Sequence, residues 1–566
     1  MRGFKDISSF VRGVVAMAAM LFSSVMLYAQ EPGRADADFE LGRATEILAN
    51  IMREFDTGYV DEVSVDMLLE NASAGLVVAT DPYSEYLSEK SMEEFEVLTT
   101  GKYGGVGSLI RKRGDYVIFA QPYKGSPADV GGVKIGDKIL AINGEDMKGV
   151  DVSAISSRLK GDPETDVTVV IERNIDASRD TLTLKRRRIS MPSVSYAGVL
   201  RDGVGYISHN DFIEGSYDEV RHALEAMLAQ DSLRGLILDY RSNGGGVMQE
   251  AVNIVSLFVP RDQRVVSIMG RDSSSLKHYV TKYAPLAESL PIVVLVNGSS
   301  ASASEILAGA LQDMDRGVVM GQRTYGKGLV QGTRHVGYNT FLKYTTAKYY
   351  IPSGRCIQAV NYSKRRVDGS VESVPDSLIK EYRTRGGRLV YDGGGIVPDV
   401  KHEPQYVSRF AVTLYTMGYM EDWADEYMRR HAGEDLDLRT FSITDADYAD
   451  FVEFIRDKEV PYESETRRAL KALERALEND LYDEHLGEAL ESIKAQVKDD
   501  KMSNMETYRR EIIDALNTEI VLRYAYREGA IEYSALRDEE VEAAIELLLN
   551  GEEYNRILRE QDLDMH

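Results

Sequence analysis

Between Met191 and Val400 the chain alternates short apolar strand patterns with helix patterns. The centres of LRGLILDY and PIVVLVN hold no polar residue at alternate positions, so neither face of these strands suits water. GVGYISH and RGVVMG read as further strands. Apolar residues at spacings of three and four mark helices over Tyr217–Ala229, Val247–Phe258 and Ser304–Asp313. Alternation of this kind requires an α/β core whose sheet is largely covered.

The flanking regions follow other rules. Leu41 to about Gly101 is helical by pattern and ends in the turn-rich DPYSEYL. From Lys102 to about Arg188, strand patterns (GGVGSLI, DYVIFAQ, KILAING, DVTVVIER, DTLTLKR) are separated by tight turns, with one short helix at Val152–Lys160. Beyond Lys401 the chain is helical and acidic, and is expected to be a solvated amphipathic domain. The divisions are thus 1–30, 31–101, 102–190, 191–400 and 401–566, within the two to four domains that 566 residues allow.

Charge and cysteine usage exclude several functions. With 67 Lys+Arg against 92 Asp+Glu, the net charge of −25 repels nucleic acid and anionic lipid. The single cysteine, Cys356, excludes an internal disulfide and multi-cysteine metal sites, and is expected to be a small buried residue. No metal or cofactor is expected. At the N-terminus, Arg2, Lys5 and Arg12 precede the uncharged run Val14–Tyr28, the layout of a signal peptide. The chain is therefore expected to work outside the cytoplasm, as a periplasmic protein or through an uncleaved anchor.

Gly321–Gln331, GQRTYGKGLVQ, has the G-x-x-x-x-G-K skeleton of a phosphate-binding loop. Two requirements fail. The next residue is Gly328 where a magnesium-binding hydroxyl is needed, and the following LVQGT is strand-like where a helix must begin. Lys327 therefore needs another role. Upstream, GSSASASE separates a buried strand from an apolar helix. A sharp turn of small residues there presents a serine at a helix N-terminus, a position suited to a nucleophile and its oxyanion. A capping box, Ser302 with Glu305, explains the same residues, and Ser300 or Ser304 could equally cap. DYRSNGGG, ending at Gly246, closes another buried strand and either turns the chain or supplies N–H donors to a cleft. Of the eight histidines only His209 is a plausible spare, so a Ser-His-Asp triad is poorly supported. A Ser-Lys pair needs a lysine desolvated into its neutral form, and Tyr325, Gly326, Gly328, Leu329 and Val330 offer such surroundings to Lys327.

GSSASASEILAGALQD and GQRTYGKGLVQ, preceded by DYRSNGGGVMQEAV, closely resemble the C-terminal processing peptidases, or tail-specific proteases. DPYSEYL, YGGVG, GSPADVGGVKIGDKILAINGE and SGRCIQ…GGGIVPDV extend the resemblance over roughly residues 41–400. It implies an α/β protease core, crotonase- and ClpP-like, with an N-terminal helical segment, an inserted mainly-β PDZ domain and a C-terminal α-helical extension. It further implies Ser302 as nucleophile, Lys327 as general base, Gln331 as its orienting partner, and the N–H groups of Gly245 and Ala303 as the oxyanion hole. Gly105, Val106, Gly107 and Ser108 would bind a peptide's terminal carboxylate, since PDZ domains capture tails by strand addition. The expected partners are protein tails, with homo-oligomers possible. A non-catalytic PDZ scaffold is the competing function, and a crotonase-like acyl-CoA enzyme shares fold analogy alone. The stretch from Ala359 to Gly394 departs from the pattern and is read as a surface excursion, with cleft covering as the alternative.

Overall fold

The computed structural model describes residues 34–559, apart from 231, 366–370, 374, 405, 432, 435, 481–482 and 498–499. The N-terminal address expected over residues 1–30 lies outside the described residues. The chain divides into two units, one up to Ser88 together with Arg334–Tyr344, the other spanning Glu89–Thr333 and Thr345 onward. In the first, α1 (Arg34–Gly58) and α2 (Val65–Val78) precede β1 (Glu85–Leu87), which pairs antiparallel with Phe341–Lys343.

The second unit opens with α3 (Glu89–Thr100) and the small β domain. β2 (Lys102–Gly105) pairs with β8 (Arg187–Ser190). Between them β3 (Ser108–Arg113), β4 (Tyr116–Pro122), β5 (Lys138–Ile142), β6 (Asp166–Glu172) and β7 (Arg179–Lys185) form an antiparallel sheet in chain order, with α4 (Val152–Leu159) beside β3. Val117, Phe119, Ile139, Ile155, Val167 and Val169 fill its core.

The α/β core contains β9 (Val194–Val199), β10 (Val204–His209), α5 (Ser216–Leu228), β11 (Gly235–Asp239), α6 (Met248–Val255), β12 (Arg264–Met269), β13 (Ile292–Val296), α7 (Ala303–Asp313) and β14 (Val318–Gly321). Next come β15 (Leu329–Gly337), β16 (Thr340–Tyr350) and β17 (Val400–Lys401). The sheet order is β9-β10-β11-β13-β14-β17, parallel except at the β9 edge. Its strands alternate between two apolar clusters. Leu236, Leu238, Ile292, Val294 and Val296 pack with α5, α6 and α7, while Ile237, Val293, Leu295, Val318 and Met320 face the other way. Because β11 and β13 are parallel neighbours, the turns after Asp239 and Val296 meet at one end of the sheet, where such sheets carry their sites.

The second face is covered by the far end of the chain. After α8 (Tyr419–Arg430), α9 (Glu465–Asn479), α10 (Asp483–Gln496) and α11 (Arg509–Ala535) come α12 (Glu539–Leu549) and α13 (Gly551–Arg559). Val541, Ala544, Ile545, Leu548, Tyr554 and Ile557 close over the sheet. At about 1.5–3 kcal/mol for each large buried apolar side chain, this face belongs to the core. The expectation of a solvated C-terminal domain therefore fails for α12 and α13, while α9 buries no residue. A separate cluster around Trp423, Phe410 and Phe451 joins α8 to α11 through Ile512, Leu516 and Ile520. Arg111 and Arg113 of β3 meet Glu421, Asp422 and Asp425 of α8.

The Ala359–Gly394 stretch is not a plain surface excursion. Arg388, 1% exposed, pairs with Asp399 and Asp315 and donates to the Gln312 carbonyl at the end of α7. Cys356 is half-buried rather than buried, and burial raises its thiol pKa.

Candidate active site

Ser302 stands between β13 and α7 with φ 56° and ψ −112°, a conformation that L-residues avoid and that costs on the order of 1–3 kcal/mol. Its neighbours explain why it is held there. Ser300 Oγ donates to the Tyr240 carbonyl at 2.8 Å, Ala301 N–H to the Asn243 carbonyl at 3.0 Å, and Ser304 Oγ to the same carbonyl at 2.9 Å. The other two candidate serines are thus buried and engaged with the neighbouring turn, whereas Ser302 is partly exposed. A serine on a sharp, strained strand-to-helix turn has the geometry of a nucleophile elbow.

Gly245, at φ 98°, lies against this elbow. A Cβ added to it would fall 2.7 Å from Ser302 Cβ and 2.8 Å from Ala303 N, so only glycine fits. The proposed donors Gly245 and Ala303 are therefore neighbours. The Ala303 N–H belongs to the helix's first turn, whose N–H groups lack intrahelical partners. The Gly245 N–H donates to Asn243 Oδ1 at 2.8 Å.

Lys327 comes to the elbow through Glu305, which is fully buried. Glu305 Oε2 accepts the backbone N–H groups of Ser302 (2.8 Å) and Lys327 (2.9 Å). Its Oε1 accepts Thr324 Oγ1 (2.6 Å) and the Gly326 N–H (2.7 Å). Thr324 Oγ1 itself accepts the Ile396 N–H at 2.6 Å, so its own proton is directed to Glu305. Four donors on two oxygens suit a carboxylate. Burial raises the Glu305 pKa, against the pull of these donors. The Glu305 half of the expected capping box is thus present, and it also reaches the lysine loop. On the opposite side, the Tyr349 hydroxyl lies 3.2 Å from the Ser302 carbonyl and 2.6 Å from that of Lys327.

The glycines around Lys327 serve packing rather than phosphate. Cβ atoms at Gly326 and Gly328 would strike Ala359 and Gln358, and Gly328 donates to Gln358 Oε1. The loop leads into the strand β15, not a helix. Lys327 and Gln331 are half-buried, and Gln331 Nε2 donates to Thr345 Oγ1 at 3.3 Å. Of the residues flanking Lys327, Tyr325 is 53% exposed, whereas Gly326, Gly328 and Leu329 are buried.

His209 is 1% exposed beneath the turn, edge-on to Phe212 and Tyr240. Burial pushes its pKa down to about 3, so it is neutral at pH 7. Sequence reasoning missed Tyr349 and Thr324, for which no local pattern exists, and read Asn243 only as the first residue of the glycine turn. It saw Glu305 only as a cap.

In the β domain, Gly105 ends β2 and Ser108 starts β3. Between them Val106 is buried and Gly107 has φ 77°. The carbonyls of Val106 and Gly107 accept the N–H groups of Ala128 and Tyr123. A cavity of about 40 Å³ lies against this loop, lined by Val106, Gly107, Ile110, Ser156 and Leu159.

Three family descriptions match the chain: peptidase family S41 over residues 203–364, a PDZ domain over 118–173, and the C-terminal helical domain of a probable PDZ-protease over 410–548. The Carboxy-terminal-processing protease of Bartonella bacilliformis is 32% identical over 315 residues, 55% of this chain and 72% of that one. A Probable CtpA-like serine protease of Staphylococcus aureus is 33% identical over 314 residues, 55% of this chain and 62% of its own length. Among solved structures, the photosystem II D1 C-terminal processing protease is 27% identical, covering 63% of this chain and 87% of that one with a TM-score of 0.33. These matches define a serine-type peptidase carrying a PDZ domain. The chain belongs to the carboxy-terminal-processing proteases of peptidase family S41.

Proposed function

We propose that the protein is an exported endopeptidase that grips C-terminal tails through its PDZ domain and cuts by a Ser302–Lys327 mechanism. One observation carries this reading: the strained Ser302 and Lys327 share a single carboxylate oxygen as backbone acceptor. Neutral Lys327 takes the hydroxyl proton as Ser302 Oγ bonds to the scissile carbonyl carbon. The Ala303 N–H, and the Gly245 N–H now on Asn243, stabilise the resulting oxyanion. Lysine passes the proton to the amine as the C–N bond breaks. Water then attacks the acyl carbon, giving its proton to lysine, and lysine returns that proton to Ser302 Oγ as the acyl C–O bond breaks, restoring both groups. Gln331 orients the lysine. The loop Gly105–Ser108 and its cavity support tail capture. Export rests on the basic and apolar pattern of residues 2–28.

The test is cleavage of an unfolded, tail-bearing protein. Wild type yields fragments, and neither Ser302→Ala nor Lys327→Ala does. A Ser302→Ala variant that still cuts overturns the assignment. Activity rises with pH, because the base works as a free amine.

A further inference from the structure

Arg241 lies two residues beyond the end of β11, at the entrance to the turn that carries Gly245. Its guanidinium faces three carboxylates. Asp239 is met by Nη2 at 2.6 Å and Nε at 3.0 Å. Nη1 lies 2.8 Å from Asp538 and 2.9 Å from Glu540, residues almost 300 positions away in sequence. Asp538 is the N-cap of α12 and accepts the N–H groups of Glu540 and Val541. Glu540, in the first turn, is 6% exposed. The Tyr206 hydroxyl fixes Asp239 from the side at 2.7 Å. Beyond Arg241, Ser242 takes φ 60° and donates its N–H to Asn297 Oδ1. Asn243 then joins the turn to His209 and to Ala301 of the serine elbow.

As a stability device this cluster is poor. One cation answers three largely buried anions, two of them crowded on the same nitrogen, and buried ion pairs contribute little net stability. Apolar contacts elsewhere on α12 already attach the helix to the sheet. What the cluster does supply is registry, because a planar guanidinium gripped on two sides fixes where the following backbone begins.

We infer that Arg241 is a positioning residue, and that Asp538 and Glu540 make the C-terminal helical domain part of the catalytic apparatus by holding it. This rests on the reading of Gly245 as an oxyanion donor. The predicted defect is in transition-state stabilisation, not in tail binding.

The experiment compares full-length Glu540→Gln, Asp538→Asn/Glu540→Gln and Val541→Ala on a peptide with a free C-terminus. The double variant loses kcat by about tenfold or more with KM within about twofold, and Glu540→Gln shows a smaller loss of the same kind. Val541→Ala removes an apolar contact of the same helix, lowering Tm while kcat stays at the wild-type value. Wild-type kcat in the double variant overturns the inference. So does a loss of kcat in Val541→Ala matching its loss of Tm. Should the double variant fail to fold, Arg241→Lys keeps the charge, loses the fork and decides by the same kcat-against-KM split. Ser302→Ala separates the two readings: residual cutting there removes the site assignment itself, whereas an inactive Ser302→Ala beside a fully active double variant removes only the role of Arg241.

Discussion

The backbone nitrogens of Ser302 and Lys327, 25 residues apart, donate to the same oxygen, Oε2 of Glu305. The strained residue and the lysine loop are therefore set by one buried group, and a disturbance there moves both.

Glu305→Gln tests this directly. An amide has one acceptor oxygen, so whichever way it turns, its NH₂ faces two buried donors. Leaving two N–H or O–H groups unsatisfied costs about 4 kcal/mol. Urea denaturation should show that loss, and kcat/KM should fall by about a hundredfold or more. Glu305→Gln with wild-type stability and rate would show that the carboxylate does not organise the site.

Tyr349→Phe removes the hydroxyl between the carbonyls of Ser302 and Lys327. The expected stability loss is about 1 kcal/mol, a single hydrogen bond. The larger effect is a fall in kcat of about tenfold, because the serine and lysine segments lose a shared restraint. Steady-state kinetics at saturating substrate measure it.

His209 makes the fold acid-sensitive. In the unfolded chain its imidazole protonates near 6.5, and in the folded protein burial holds it down to about 3. Below pH 6.5 the unfolded state therefore binds more protons, and stability falls as pH falls. The expected contribution is about 1.4 kcal/mol lost per pH unit between roughly 6 and 3. His209→Leu should flatten this part of the curve of unfolding free energy against pH. An unchanged slope would assign the acid sensitivity to other groups.

Ile110 lines the cavity beside the Gly105–Ser108 loop. Ile110→Asp sets a negative charge where a tail carboxylate and an apolar side chain are expected. Fluorescence anisotropy with an apolar-tailed peptide should show affinity reduced by about tenfold or more. Cutting of a substrate without such a tail should be unaffected, which distinguishes lost capture from lost chemistry.

Much of this molecule was legible from residue patterns because the patterns are local. GLIL and IVVLV could only be strands covered on both faces, and small residues after IVVLV could only make a tight turn. YGKG failed as a phosphate loop on two requirements visible in sequence. The serine was legible less surely, since S-x-x-E is also a helix cap. The structure separates the three serines, since Ser300 and Ser304 are engaged with the neighbouring turn and, of the three, Ser302 alone takes the strained backbone, which is why we propose it as the nucleophile.

By itself the sequence determined which segments are strands, helices and turns, since hydrophobic period and glycine placement act within a few residues. Tertiary structure alone decided that Glu305 spans from the elbow to Lys327, that Tyr349 joins them from the other side, and that α12 reaches Arg241. These contacts join residues 22 to 299 positions apart. They arise because parallel strands bring distant turns to one sheet end, and because a sheet buried on both faces needs helices from wherever the chain can supply them.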